Sequence, residues 1–286
     1  MRSEQEIYDL ILHIAKEDER IRAVYMNGSR TNPEIAIDDF CDYDIVYVVT
    51  NTLPFIKDKT WLKIFGELLM LQEPDSNDLA FGQKNDPTRS YAWLMLFKDF
   101  VRIDLQIQSI EAMQEEYGLD SLTVPLFDKD GILPKISLSN NRDYLIKKPT
   151  KAEYAGCCNE FFWCLNNVAK GIARDQMPYV IRMYYETVHK ELNRMLAWHI
   201  GVTNDFAVSV GKWGKYFNRY LSEDCYNRYL LTIPDGNYDH IWKAIEESCR
   251  IFRNTAKSVA KYLGCTYNEQ DDKNMMEYLD FVKARL

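Results

Sequence analysis

The sequence predicts an α+β protein in two parts, a mixed-sheet domain over residues 1–148 and an all-helical domain over residues 149–286. Three observations carry that prediction. Runs rich in β-branched and aromatic residues ("IRAVYM", "DIVYVV", "YAWLMLFK", "VRIDLQIQ") all fall before residue 110. Apolar residues at helical spacing dominate after residue 150. Between the two regions the stretch "KKPTKAEY" marks a change of texture, and neither side contains an internal repeat or a low-complexity tract.

The elements follow in order. Residues 4–18 place Ile7, Leu10, Ile11 and Ile14 on one face of an opening helix. "IRAVYM" (21–26) reads as a buried strand that ends at the turn signal Asn27-Gly28. "DIVYVV" (44–49) is a second strand, and "WLKIFGELLML" (61–71) reads as a helix. Residues 91–98 and 101–108 form a hairpin about Asp99-Phe100. In its second strand Val101, Ile103, Leu105 and Ile107 alternate with Arg102, Asp104, Gln106 and Gln108, which puts Asp104 on the polar face. Residues 122–131 read as an edge strand, because Pro125 would interrupt a central one. Helical patterns then cover 151–170, 178–200, 212–221, 238–263 and 272–285.

Composition narrows the class. A chain of 286 residues that is 47% hydrophobic has room for one large or two medium cores. With 19 Tyr, 13 Phe and 6 Trp against 12 Gly and 9 Pro, it is an ordered globular chain and not a linker or tail. The net charge of -8 disfavours a phosphate backbone as partner, so no nucleic acid is expected, and it suits a cationic substrate. Seven cysteines occur without a C-x-x-C pair, which points to reduced thiols packed as small hydrophobes and to no zinc or redox motif. No apolar run is long enough to cross a bilayer, and no basic segment leads into an apolar one at the N-terminus. The expectation is a cytoplasmic protein without a membrane partner.

Candidate chemistry concentrates in the first half. Asp42 and Asp44 stand one residue apart at the entrance of a strand, where the two-residue period sends both carboxylates to one face. Two like charges so close are costly unless a cation lies between them, and hard oxygen ligands suit magnesium. Asp104 completes a trio if its strand neighbours that of Asp44. Upstream, Gly28 lets the backbone approach a phosphate, the Ser29 hydroxyl can donate to it, and Arg30 can add charge-assisted bonds. Asp38 and Asp39 lack a following apolar strand and read as loop residues.

The succession strand, Gly-Ser, spacer, Asp-x-Asp on a strand, and a third strand aspartate resembles the nucleotidyltransferase superfamily, the fold of the polymerase-beta palm. "NGSRTNP", "DFCDYDIVYVVT", "RIDLQI", "RMYYETVHKELNRMLAWHIGV" and "GKWGKYFNRYL" are together similar to the aminoglycoside 6-adenylyltransferases, over almost the whole chain. That resemblance implies transfer of AMP from ATP to a hydroxyl of streptomycin, with release of pyrophosphate and resistance to the antibiotic. It implies Ser29 and Arg30 on the β- and γ-phosphates, Asp42 and Asp44 on magnesium (two ions expected), and Asp104 as third ligand, general base or both. The alternatives are another acceptor (a different aminoglycoside, a lincosamide or a protein side chain) or a non-catalytic nucleotide-binding module.

The helical half is expected to supply the acceptor pocket and part of the triphosphate clamp. Lys212 and Lys215 sit beside glycines at an expected helix start and suit phosphate oxygens. A guanidinium-bearing acceptor calls for carboxylates and aromatic faces, which Glu160, Trp163, Tyr185 and Glu186 offer on two helices, with Asn167 near the first. His189 and His199 have no partner at metal spacing and read as structural. A monomer or a homodimer fits equally.

Overall fold

The computed structural model describes residues 1–286. Its chain divides into two units, Met1–Asp143 and Tyr144–Leu286. The first holds helices α1 (Glu4–Glu17), α2 (Leu53–Lys57), α3 (Pro74–Ala80) and α4 (Ile110–Glu116). Its strands are β1 (Ile21–Asn27), β2 (Tyr43–Val49), β3 (Leu68–Gln72), β4 (Ser90–Phe97), β5 (Arg102–Ser109) and β6 (Val124–Asp128). They form one sheet in the order β3-β4-β5-β2-β1-β6.

Every neighbouring pair in this sheet is antiparallel except β2 and β5, which run parallel at its centre. A parallel pair needs a crossover, and here the chain between β2 and β5 supplies α2, β3, α3 and β4. Alternation sorts the two faces. Tyr43, Ile45, Tyr47 and Val49 of β2 join Ile103, Leu105 and Ile107 of β5 in a large core with Ile7, Ile11 and Ile14 of α1. Helix α1 is fixed at its start by a reciprocal cap between Ser3 and Glu6. On the opposite face Val46 and Val48 pack with Ala23, Tyr25, and Met113 of α4. That second core is small. Beyond it, toward the start of β2 and β5, the face carries Asp44 and Asp104.

Three expectations need correction in this unit and the next. Residues 61–71 are not one helix: a 3-10 segment, Lys59–Phe65, stops at Gly66, whose φ of 127° no helix accepts. Leu68–Gln72 then pairs with β4 as an edge strand. The hairpin about Phe100 and the edge position of β6 with Pro125 stand as the sequence predicts.

The second unit contains α5 (Lys151–Ala173), α6 (Met177–Met183), α7 (Lys190–Thr203), α8 (Phe217–Tyr220), α9 (Glu223–Leu230), α10 (Tyr238–Leu263) and α11 (Glu269–Lys283). Between α6 and α7 the chain makes a π turn, Tyr184–His189, where a single helix was expected. Helix α5 packs against α6, α7, α10 and α11. Phe161 of α5 stacks on Phe252 of α10 with ring centroids 3.8 Å apart. Residues 212–221 are not one helix either. Gly211, Trp213 and Gly214 all take positive φ, which interrupts the pattern and leaves a 3-10 turn followed by the single turn of α8. No helix is long and apolar enough to cross a membrane.

Candidate active site

The parallel register of β2 and β5 builds the site. Asp44 lies directly opposite Asp104, and Tyr43 opposite Ile103. Continuing the register one residue earlier sets Asp42 against Arg102, so four charged side chains occupy two adjacent cross-strand positions on one face. One ligand oxygen from each of Asp42, Asp44 and Asp104 falls within 4.8 Å of the other two. All three carboxylates are half-buried.

Arg102 answers that charge within the chain. Its Nε donates to Asp104 Oδ1 at 2.7 Å, its Nη2 donates to Oδ2 at 2.6 Å, and its Nε stands 3.5 Å from Asp42. Asp44 receives no such bond. Burial, then the charges of Asp42 and Asp104, push its carboxyl up to about 6, with Arg102 opposing them. Three carboxylates this close, all hard oxygen donors, would fit a divalent ion of the magnesium kind.

Gly28 stands against Asp44. Its φ of 78° and ψ of -161° belong to a region that side-chain-bearing residues avoid. A Cβ there would lie 2.1 Å from Asp44 Oδ2. Its amide donates to the Leu122 carbonyl at 3.1 Å. The glycine is thus explained by the approach of the carboxylate, while its N–H already has a partner. Ser29 opens a short 3-10 turn, Ser29–Thr31, immediately after β1, and is half-buried.

The guanidinium of Arg30, expected from sequence to reach a phosphate, also makes contacts within the protein. The residue is buried and all three nitrogens are committed: Nη1 to Glu4 at 2.9 Å, Nη2 to the Cys41 carbonyl at 2.7 Å, and Nε to the Asp42 carbonyl at 3.4 Å. It also covers the Tyr43 ring, 3.8 Å from its centroid. These bonds hold the segment that delivers Asp42. Asp38 and Asp39 lie in the loop before it, as expected.

A cavity of about 310 Å³ opens on this face, lined by Asn27, Gly28, Asp44, Leu94, Asp104 and Asp120. That volume lies at the small end of the range for ligand sites. Asp120 escapes sequence reading, because the loop that carries it has no strand pattern. It arrives through the bond from Gly28 to Leu122 and that from Thr123 Oγ1 to Asn27 Oδ1 at 2.8 Å. Arg102 was visible in sequence only as a polar-face residue; its role depends on the register.

In the helical unit the expected residues lie apart in kind. Trp163 is 64% exposed and lines a groove with Asn166, Asp271 and Tyr278. Glu160 is exposed and accepts from Cys164 Sγ at 3.4 Å. Tyr185 is half-buried, its hydroxyl on the Pro234 carbonyl at 3.2 Å, and Glu186 is exposed and paired with Arg182 at 2.7 Å. Lys212 and Lys215 are exposed and stand 4.7 Å and 5.0 Å from the rings of Trp213 and Tyr216. His189 is buried between Thr232 and Asn193, and His199 meets Ser258, which are structural settings.

Asp44 and Asp104 in register on paired strands, with Asp42 just before the first, lie beside the Gly28-Ser29 turn, the arrangement expected from the sequence for a nucleotidyltransferase. The chain matches the family described as streptomycin adenylyltransferase over residues 1–282. It is 38% identical over 273 residues to an aminoglycoside 6-adenylyltransferase of Campylobacter jejuni, covering 96% of this chain and 93% of that one. It is 36% identical to the Bacillus subtilis protein of the same description, covering 95% of each. It is 31% identical to one from Staphylococcus aureus, covering 91% of this chain and 92% of that one. A crystal structure of an aminoglycoside 6-adenyltransferase from Bacillus subtilis aligns over 99% of both chains at 32% identity, with a TM-score of 0.48. The chain belongs to the streptomycin adenylyltransferase family.

Proposed function

We propose that this enzyme transfers AMP from ATP to a hydroxyl of streptomycin, releases pyrophosphate, and so confers resistance to the antibiotic. The observation that carries the reading is the trio Asp42, Asp44 and Asp104, gathered within 4.8 Å, with Asp44 and Asp104 on two parallel strands and Asp42 one residue before the first. These carboxylates would hold magnesium, two ions on this reading. A bound divalent cation stabilises charge that develops on phosphate oxygens during displacement at the α-phosphorus. The acceptor oxygen bonds to that phosphorus while the bond to the bridging oxygen breaks, and pyrophosphate leaves with the electron pair. The hydroxyl proton goes to a carboxylate of the site, for which Asp104 is the choice. Asp104 faces the cavity from a strand and not from a loop, so its position is held by the sheet.

Ser29 is assigned to the triphosphate from its place at the turn, with Lys212 and Lys215 as exposed cations for its outer phosphates. Arg30 supports the site through the Asp42 backbone. Glu160, Trp163, Tyr185 and Glu186 are the proposed acceptor contacts, matching carboxylates and rings to a guanidinium-bearing sugar. The enzyme would work in the cytoplasm as a monomer or homodimer, without nucleic acid.

The test is pyrophosphate release from ATP with magnesium, with and without streptomycin. Release that depends on streptomycin is expected, and Asp44→Asn should lower it more than about a hundredfold, since even outer partners of metal ligands are worth 10–100-fold. Labelled AMP appearing only on another acceptor would overturn the streptomycin assignment. ATP bound without turnover on any acceptor would leave a binding module instead.

A further inference from the structure

Arg102 belongs to the same strand face as the acids, yet nothing in the transfer reaction calls for a cation welded to a metal ligand. Its guanidinium closes both oxygens of Asp104 in a fork, the strongest geometry available to a carboxylate, and leans on Asp42. A carboxylate with both oxygens taken has less to offer a metal. Arg102 is also 48% exposed at its side chain, whereas Asp104 is 16% exposed, so the arginine has open space to leave and the acid does not.

We propose that Arg102 is the resident counter-ion of the metal-free site, and that a divalent cation must displace it to bind the acid trio. The inference rests on the reading of Asp42, Asp44 and Asp104 as metal ligands. Three carboxylates this close repel one another. With Arg102 across from Asp42 and forked to Asp104, the cluster falls from three net negative charges to two. The sheet can therefore assemble before any ion arrives. The cost is competition: each metal that enters must break two short charge-assisted bonds, and its own affinity is reduced by that amount. Free metal is thereby held weakly. The guanidinium it releases stays on the site's face, carried by the residue two before Asp104.

The experiment is Mn²⁺ titration of the nucleotide-free protein, followed by the electron paramagnetic resonance of free Mn²⁺. The variants are Arg102→Met, Arg102→Lys and Asp44→Asn. Arg102→Met should bind Mn²⁺ at least fivefold more tightly than the wild-type chain, with Arg102→Lys between them, because a lysine cannot fork. A residue that merely supported the fold would move affinity the other way. Equal or weaker binding by a folded Arg102→Met, with binding still lost in Asp44→Asn, overturns the counter-ion role and leaves the metal ligands standing. No Mn²⁺ bound by any variant, Arg102→Met included, overturns both. Circular dichroism confirms folding, and Arg102→Gln serves if the methionine variant aggregates.

Discussion

Gly28→Ala tests the geometry of the site most directly, because two separate penalties meet at one atom. The first is backbone strain. At φ 78° and ψ -161° a side chain costs on the order of 1–3 kcal/mol. The second is steric: the new methyl would sit 2.1 Å from Asp44 Oδ2 and 2.9 Å from its Cγ, so the carboxylate must swing out of the trio. Together they should destabilise the protein by about 3 kcal/mol. Urea unfolding measures the sum, and a double-mutant cycle with Asp44→Ala separates the parts. In that background the nearest remaining Asp44 atom is Cβ at 3.4 Å, an ordinary contact, so only the strain survives. The alanine should therefore cost at least about 1 kcal/mol less there than in the wild-type chain. Mn²⁺ binding should also be lost in the single variant. If Gly28→Ala costs the same in both backgrounds and still binds Mn²⁺, then Gly28 does not make room for Asp44 and the account of this turn is wrong.

Two further outcomes follow from buried groups. Arg30→Met should cost roughly 2–3 kcal/mol in urea unfolding, since hydrogen bonds to charged groups are each worth about 1.5–3 kcal/mol and Glu4 can recover water. Hydrogen exchange at Cys41 and Asp42 should quicken in that variant; unchanged exchange there would mean that Arg30 does not hold the segment. Burial pushes His189 from 6.5 down to about 4, so between those values the unfolded chain takes up a proton that the folded chain refuses. Its contribution is complete above 6.5 and is lost as pH falls toward 4, roughly 2 kcal/mol between pH 7 and pH 5. His189→Gln should flatten that part of the stability profile, and a slope identical to wild type over this window would remove His189 as its source.

Much of the fold is legible because alternation and helical spacing are strong where one face of an element is buried. Strands β1, β2, β4 and β5 and helices α1, α5 and α10 all carry such patterns and lie where the sequence predicts. The failures have local causes. "WLKIFGELLML" has helical spacing, yet Gly66 at positive φ ends it, and the hydrogen bonds open on the edge of β4 take up Leu68–Gln72. "GKWGKYFNRY" has helical residues, but its glycines take left-handed conformations and draw Trp213 with them. In both, backbone conformation outweighs the side-chain pattern.

The site divides along a different line. What depends on one strand is readable: the two-residue period puts Asp42 with Asp44, and Asp104 with Arg102, on single faces. What depends on register between strands is not, since sliding β5 by two residues would preserve every alternation while setting Arg102 opposite Asp44. The pairing that exists places acid against acid at Asp44 and Asp104 and acid against base at Asp42 and Arg102. In the slipped arrangement the like-charge pair would be gone, and Arg102 would face Asp44 instead of Asp42. The observed register, with Gly28 presenting only hydrogen beside Asp44, gathers Asp42, Asp44 and Asp104 where a cation would offset their mutual repulsion.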